Sequence, residues 1–234
     1  MRRESIIGRA HGHALRRVEL VLPSTPVARI YLSAGIHGGE PAGVTAVKWL
    51  LSLPRLPLWM RPFHWTILPC LNPAGCEAGT RENPDGLDLN RQFRRDDLPE
   101  ITAVKRAVRG WRFDLCIHLH EDSDGTGFYL YELNRGGEWI GERIVAAVRP
   151  IIPPDRRPLI ERRPARHGVI RRRLNIQRRK LWPEAIWAYG HLTDHTLTIE
   201  TPTRWPLGDR VRAQLKAIET AARWFTQTSV SATK

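Results

Sequence analysis

An α/β fold with a largely buried, mixed sheet is what the sequence predicts, on three observations. Strand-length apolar runs alternate with segments of helical period. The composition, 41% hydrophobic and 26% charged over 234 residues, is that of a globular chain able to bury a full core. The polar, glycine-marked segments fall at the ends of the strand-like runs, where open α/β sheets build their sites.

Taken in order, Val18 to Leu22 and Ala28 to Ala34 read as strands. Glu40 to Leu51 reads as a helix with Pro41 in its first turn, a position that proline favours. Phe63 to Leu71 is a strand running into a long polar loop, Asn72 to Phe93. Pro99 to Arg109 is helical, Asp114 to His120 and Phe128 to Leu133 are strands, and Gly136 to Val148 is a helix. The proline-marked stretch after Pro150 reads as irregular. His195 to Glu200 is a strand, and Leu207 to Thr228 a long amphipathic helix before a polar tail. The expected organisation is one domain over 1–234 with a basic irregular segment at about 151–182.

Charge and cysteine content narrow the setting. Lys and Arg outnumber Asp and Glu by 37 to 24, a net charge of +13, with the excess concentrated from Arg156 to Lys180. A solvated basic surface, attraction of an anionic substrate and nucleic-acid binding all fit such a stretch. No helix-turn-helix, finger or RNA-recognition pattern accompanies it, which argues against nucleic acid as the partner. No apolar run reaches the ~20 residues of a membrane span. The basic start, Met1 to Arg17, lacks the apolar stretch of a signal peptide, so the expected location is the cytoplasm. Three cysteines (Cys70, Cys76 and Cys116) are not a disulfide framework, although Cys70 and Cys76 could bridge in an oxidising compartment.

Four segments carry chemistry. In Ser33-Ala34-Gly35-Ile36-His37-Gly38-Gly39-Glu40 a strand ends, glycines turn the chain, and His37 and Glu40 stand three apart. Imidazole nitrogen and carboxylate oxygen both suit zinc. In Asp114 to Asp122, His118 and His120 point to one face of a strand, so both could reach a site, or one could ligate while the other orients it. A His, Glu, His set with an open fourth position is the catalytic zinc pattern. The loop holds Asn72-Pro73-Ala74-Gly75, then Arg81 and Asp88-Leu89-Asn90-Arg91. Its turn residues explain the loop but not its arginines, which are donors suited to carboxylates and oxyanions. Finally, the apolar strand Leu197-Thr198-Ile199 ends on Glu200, a candidate general base.

Together these segments, from about Ser33 to Pro202, resemble the zinc carboxypeptidases, the M14 metallopeptidases. That clan also contains murein-peptide amidases and the succinylglutamate desuccinylase and aspartoacylase enzymes. The resemblance implies an α/β/α sandwich around a mixed, largely parallel sheet and one zinc per chain. It implies His37, Glu40 and His120 as metal ligands, with His118 in an orienting position. Arg81 would stabilise the oxyanion, Asn90 and Arg91 would grip a substrate carboxylate, and Glu200 would be general base and acid. A tyrosine that closes over substrate in digestive carboxypeptidases has no clear counterpart: its place falls near Arg178-Arg179-Lys180, and Tyr189 is a weak substitute.

The implied substrate is a small peptide, cleaved at an amide next to a free carboxylate. An N-acyl amino acid, cleaved by a desuccinylase-like or aspartoacylase-like amidohydrolase, is the alternative within the clan. A non-catalytic binding protein using its basic surface is the alternative outside it.

Overall fold

The computed structural model describes residues 1–21, 24–172, 174 and 176–231. The expected strand end at Leu22, Arg173 in the basic stretch and the polar tail from 232 lie outside them.

The chain opens with an unexpected hairpin. Strand β1 (Arg2–Ala10) pairs antiparallel with β2 (His13–Val21) through His11 and Gly12, both at positive φ (48° and 81°). A two-residue hairpin turn needs that conformation at both positions. Strand β1 hides in the sequence because it is an edge strand studded with Arg2, Arg3, Glu4 and Arg9, charges that discourage pairing with another chain.

Then follow β3 (Arg29–Ser33), α1 (Pro41–Ser52), β4 (His64–Leu68), α2 (Pro73–Ala78), α3 (Pro99–Ala107), β5 (Leu115–Asp122), β6 (Tyr129–Asn134) and α4 (Gly141–Val148). The short strands β7 (Leu159–Ile160), β8 (Arg163–Pro164) and β9 (Val169–Arg171) precede α5 (Glu184–His191), β10 (His195–Pro202) and α6 (Leu207–Ser231). Eight strands form one mixed sheet in the order β1-β2-β4-β3-β5-β10-β6-β9. Its centre, β4-β3-β5-β10, is parallel throughout.

Alternation along the strands splits the core between two faces. Ile30, Leu32, Ile117, Leu197 and Ile199 pack with α1, α4 and α6 on one side. Tyr31 and Cys116 pack with Ile101 and Val104 of α3 and with Trp187 and Ala188 of α5 on the other. Helices therefore cover both faces, the sandwich that the sequence implied.

Three expected boundaries need correction. The loop 72–93 begins with α2, whose first turn is capped by Asn72 accepting from Gly75 N at 3.0 Å and which ends on left-handed Gly79. Helix α4 starts at Gly141, not Gly136, because Gly136 and Gly137 belong to a turn in which Asn134 accepts from Gly136 N at 2.7 Å. Segment 151–182 is not wholly irregular: it holds the β7–β8 hairpin and the sheet-edge strand β9.

Helix α5 was not expected. Its sequence, with two aromatics and a glycine, has poor intrinsic helix propensity, and burial of Trp187 and Ala188 overrides it.

One close approach locks the site-bearing turn. A Cβ on Gly38 would lie 1.9 Å from the carbonyl carbon of Gly75, so the turn after β3 rests backbone to backbone on α2. Gly38→Ala should therefore destabilise the protein by about 1–3 kcal/mol or more. At this chain length that corresponds to a fall in Tm of roughly 2–4 °C per kcal/mol. An unchanged thermal midpoint would show that the two loops do not pack this way.

Candidate active site

The site forms where the central strands end. Strand β3 stops at Ser33, Gly35 turns the chain at φ 66°, and His37 and Glu40 follow just before α1. Glu40 occupies the helix N-cap position without capping the helix. Its neighbour across the sheet does so instead: Glu121 Oε2 accepts from Ala42 N at 2.7 Å, and its other oxygen is paired with Arg210. The Glu40 carboxylate is thereby free to turn toward the histidines.

His37 Nδ1 lies 2.6 Å from Glu40 Oε1, and His120 Nδ1 lies 2.9 Å from Glu40 Oε2. One ligand atom from each of the three residues lies within 4.8 Å of the others, and all three residues are buried. The donor set of two imidazoles and a carboxylate is that of a divalent metal site, and it fits zinc in chemistry and spacing.

Burial pushes the Glu40 carboxyl up, but the two imidazoles outweigh it and hold the group near the bottom of the carboxylate range, at about 2. Burial lowers His120. Burial also works against His37, but hydrogen bonds to Asp88 and Glu40 leave it raised.

His118 does something different. Its Nδ1 lies 3.0 Å from Ser33 Oγ and 3.2 Å from Glu184 Oε2, deep behind His120. Tyr31 also donates to Glu184, at 2.6 Å, so a buried polar group braces β3, β5 and α5 beneath the site. Glu184, on the unforeseen helix α5, carried no sequence signal for this role.

The polar loop closes one wall. Asp88 reaches His37 Nε2 at 3.2 Å and accepts from Arg81 Nε at 3.1 Å, so one carboxylate orients a site imidazole and anchors the arginine. Arg81 Nη1 lies 3.5 Å from Glu40. Asn90 lines the cleft, but its side-chain oxygen accepts from Glu184 N at 2.9 Å, tying the loop to α5. Arg91 lines the same cleft and donates to the Asn90 carbonyl at 2.9 Å. Asp88 stood inside the Asp-Leu-Asn-Arg motif, and only its two partners reveal its role.

The opposite wall follows from strand register. Glu200 pairs with His120 across the parallel β5–β10 boundary, so both side chains rise from the same face of adjacent strands. Burial and the carboxylates of Glu40, Glu161 and Asp122 push Glu200 well above the usual range. Tyr131 of β6 lines the cleft and donates to Glu161. Tyr189 does not line it: it packs with Leu133 and Ile186 beneath Arg135, whose guanidinium sits 4.5 Å over the ring. Tyr131 is thus the tyrosine that lines the cleft among the described residues, and in the sequence it stood out only as part of a strand-like run.

The cleft has a volume of roughly 530 Å³. His37, Glu40, His120 and Glu200 line it, and so do Arg163, Arg172 and Arg179. The basic stretch therefore does flank the site.

Glu200 supplies a pH test. Its raised pKa means that metal-free protein loses stability as pH climbs from the ordinary carboxylate range toward the folded value, because the charge is harder to accommodate in the folded state. Glu200→Gln cannot ionise. Its stability relative to the native protein should rise between pH 5 and pH 8 in urea titrations of the metal-free forms. A difference that is flat or falls with pH would contradict the burial assigned to Glu200.

Comparison with known proteins bears on the same residues. The family model for the succinylglutamate desuccinylase/aspartoacylase catalytic domain matches residues 26–135, which take in His37, Glu40, Arg81, Asn90, Arg91 and His120. Murein peptide amidase A of Escherichia coli (strain K12) is 40% identical over 73 residues, 31% of this chain and 28% of that protein. The matched part is thus under a third of that relative. Among solved structures, a candidate metallopeptidase from Shewanella amazonensis has a TM-score of 0.78 at 23% identity, covering 94% of this chain and 85% of the other. A metallo-carboxypeptidase from Burkholderia cenocepacia has a TM-score of 0.70 at 18% identity, covering 97% and 65%. At those identities the structures speak to the fold, and the family-model match spans the site-bearing loops and strands from β3 to β6. The chain thus shares its fold with metallo-carboxypeptidases and, over residues 26–135, resembles the succinylglutamate desuccinylase/aspartoacylase catalytic domain.

Proposed function

We propose that this chain is a zinc-dependent hydrolase that cleaves an amide bond next to a free carboxylate in a small peptide. The observation that carries the reading is the His37, Glu40 and His120 cluster with Glu200 beside it on the neighbouring strand. A zinc ion held by the three ligands would polarise the scissile carbonyl and acidify the attacking water.

The chain's own groups do the rest. Glu200 takes a proton from the water and returns it to the leaving amine, the double role of a positioned carboxyl group. Its raised pKa matches that task, since a base poised nearer neutrality can also act as an acid. Arg81, anchored by Asp88, faces the developing oxyanion. Arg91 holds the substrate carboxylate, a planar fork on a planar anion. Asn90 spends its oxygen on α5, so its contribution is to set the height of that wall and to offer its amide nitrogen.

A second reading stays within the clan: an N-acyl amino acid amidohydrolase. It is favoured by the family model that matches the first half of the site. A hydrolysis screen of metal-loaded protein against murein-type peptides, C-terminal peptides and N-acyl amino acids separates the two.

Metal analysis tests the core of the reading. The purified protein should carry about one zinc per chain, as three-ligand catalytic sites do. His37→Ala, Glu40→Ala and His120→Ala should each lose it, whereas His118→Ala should retain most of it. Glu200→Gln should keep the metal and lose roughly 10²-fold or more in turnover. Metal retained in His120→Ala but lost in His118→Ala would reverse the assignment on β5.

The carboxylate has its own test. Amidating the substrate carboxylate should remove most activity, and Arg91→Ala should erase the difference between free acid and amide. Equal cleavage of both by the native protein would end the carboxylate-recognition idea and leave the metal site standing.

A further inference from the structure

Two cysteines stand outside the chemistry described so far. Cys70 follows the end of β4 by two residues, and Cys76 lies in α2. Their Sγ atoms are 3.2 Å apart, with the Cys70 thiol donating to Cys76. Both are half-buried, whereas Cys116 is fully buried in β5. The pair lines a second cleft, of roughly 680 Å³, that shares no lining residue with the first. Arg2, Arg16 and Lys48 line it as well, together with Glu4 and Glu77.

Contact between the sulfurs gives the two thiols different characters. The hydrogen bond from Cys70, helped by the Lys48 charge, holds the Cys76 thiol below its ordinary range against the effect of burial. The same hydrogen bond, together with burial, pushes Cys70 up. A thiol held low is the nucleophile of a disulfide exchange, and its protonated neighbour is the group that resolves it.

The turn that carries the metal ligands rests on these sulfurs. A Cβ on Gly35 would lie 3.1 Å from Cys70 Sγ and 3.2 Å from Cys76 Sγ, so no space separates the turn from either. The Cys76 thiol points at the Gly35 carbonyl, 3.8 Å away. One residue before Cys76, Gly75 meets Gly38 backbone to backbone. His37 therefore stands on a short turn held at one end by the two sulfurs and at the other by the helix that carries Cys76. A disulfide bond is about 2.05 Å long, so sulfurs 3.2 Å apart must close by roughly 1 Å to form one. Close-packed surroundings transmit a shift of that size, and a metal site tolerates displacements of only about 0.2 Å in its ligands.

We propose that Cys70 and Cys76 are a reversible redox site, oxidised by a small-molecule disulfide that enters the second cleft, and that the bridge, closing beneath Gly35, displaces His37 and weakens metal binding. The Cys76 thiolate attacks one sulfur of the small disulfide, forming a mixed disulfide and expelling a thiolate that takes up a proton. The Cys70 thiol then attacks the Cys76 sulfur, gives up its proton and releases the second small thiol. The S–S bond of the reagent breaks, the Cys70–Cys76 bond forms, and two electrons pass from the protein to the reagent. Formation of the bridge is independent of the zinc reading above, and its effect on the metal rests on that reading.

The bridge is tested first, on reduced, metal-free native protein incubated with excess oxidised glutathione, quenched with acid and alkylated under denaturing conditions. The peptide holding both cysteines should be unalkylated and lighter by two hydrogens in mass spectrometry, while Cys116 is alkylated. Cys70→Ser should stop at a glutathione adduct on Cys76, and Cys76→Ser should acquire little adduct on Cys70. Native protein that keeps both thiols, or that stops at the adduct, overturns the redox site, and this measurement requires no variant to fold.

Zinc affinity, from competition with a chelator, tests the coupling. It should be about tenfold or more weaker in the bridged protein than in the reduced one, the scale of disturbing the support behind a metal ligand. Reduction by a phosphine should restore it. Cys70→Ser combined with Cys76→Ser should bind zinc with an affinity that the oxidant does not change. Equal zinc affinity of bridged and reduced native protein overturns the coupling. Reduced protein that binds no zinc ends the metal reading instead, and the peptide masses still decide the redox site.

Discussion

A buried carboxylate shared by two imidazoles organises this molecule's polar interior. Leaving an ionised Glu40 unpaired in the interior would cost several kcal/mol, and breaking such a pair is more damaging than never having made it. The structure satisfies the carboxylate from both sides: His37 and His120 flank it, and the Glu121 amide donates to it at 3.1 Å. The partners come from two separate places, His37 from the turn between β3 and α1 and His120 with Glu121 from β5, so the interaction can form only when that turn and β5 are already in place. It also explains why α1 takes its cap from Glu121. A carboxylate can be spent on the helix end or on the site, and two adjacent strand ends supply one for each.

Around that centre, rigidity comes from backbone contact and from the sheet. Gly38 against Gly75 fixes the turn that carries His37, and no side chain mediates that contact. Parallel register fixes Glu200 beside His120, an arrangement as invariant as the hydrogen bonds between the strands. Behind them, Ser33, His118, Tyr31 and Glu184 form a second buried polar group that ties β3 and β5 to α5. A site built on strand ends and backed by such contacts is held more closely than one built on loops alone.

Much of this was legible in the sequence because its determinants are local. The His37–Glu40 spacing, the alternation that puts His118 and His120 on one face, and a strand ending on Glu200 are all readable within a few residues. What the sequence concealed depends on distant return of the chain. Glu184 reaches Ser33 from 151 positions away, on a helix whose propensity is poor and whose stability is tertiary. Strand β1 was masked by the charges that protect an edge. Tyr131 becomes a cleft residue only because β6 runs antiparallel beside β10, a pairing no short-range pattern encodes. The basic stretch was readable as charge, but its convergence into a rim required the hairpin at 161–162 and strand β9, both too short to carry a periodicity.

Acidic and basic side chains line the same cleft, and the contrast bears on how a ligand is held there. Glu40, Glu200, Asp122 and Glu161 all line it, and burial with the charge of the other three drives Glu200 toward its neutral form. Arg163, Arg172 and Arg179, which form no ion pair among the described residues, repel one another. Had the two sets been placed in contact, they would have neutralised each other as ion pairs and neither would have been available to a ligand. A cluster of carboxylates concentrates cations and a cluster of arginines concentrates anions. On the hydrolase reading proposed above, a ligand anionic at one end would be oriented by these two sets of charge, with its neutral amide toward the carboxylates and imidazoles. Orientation of that kind comes from the separation of charges already present in the fold, and it costs no movement when the ligand binds.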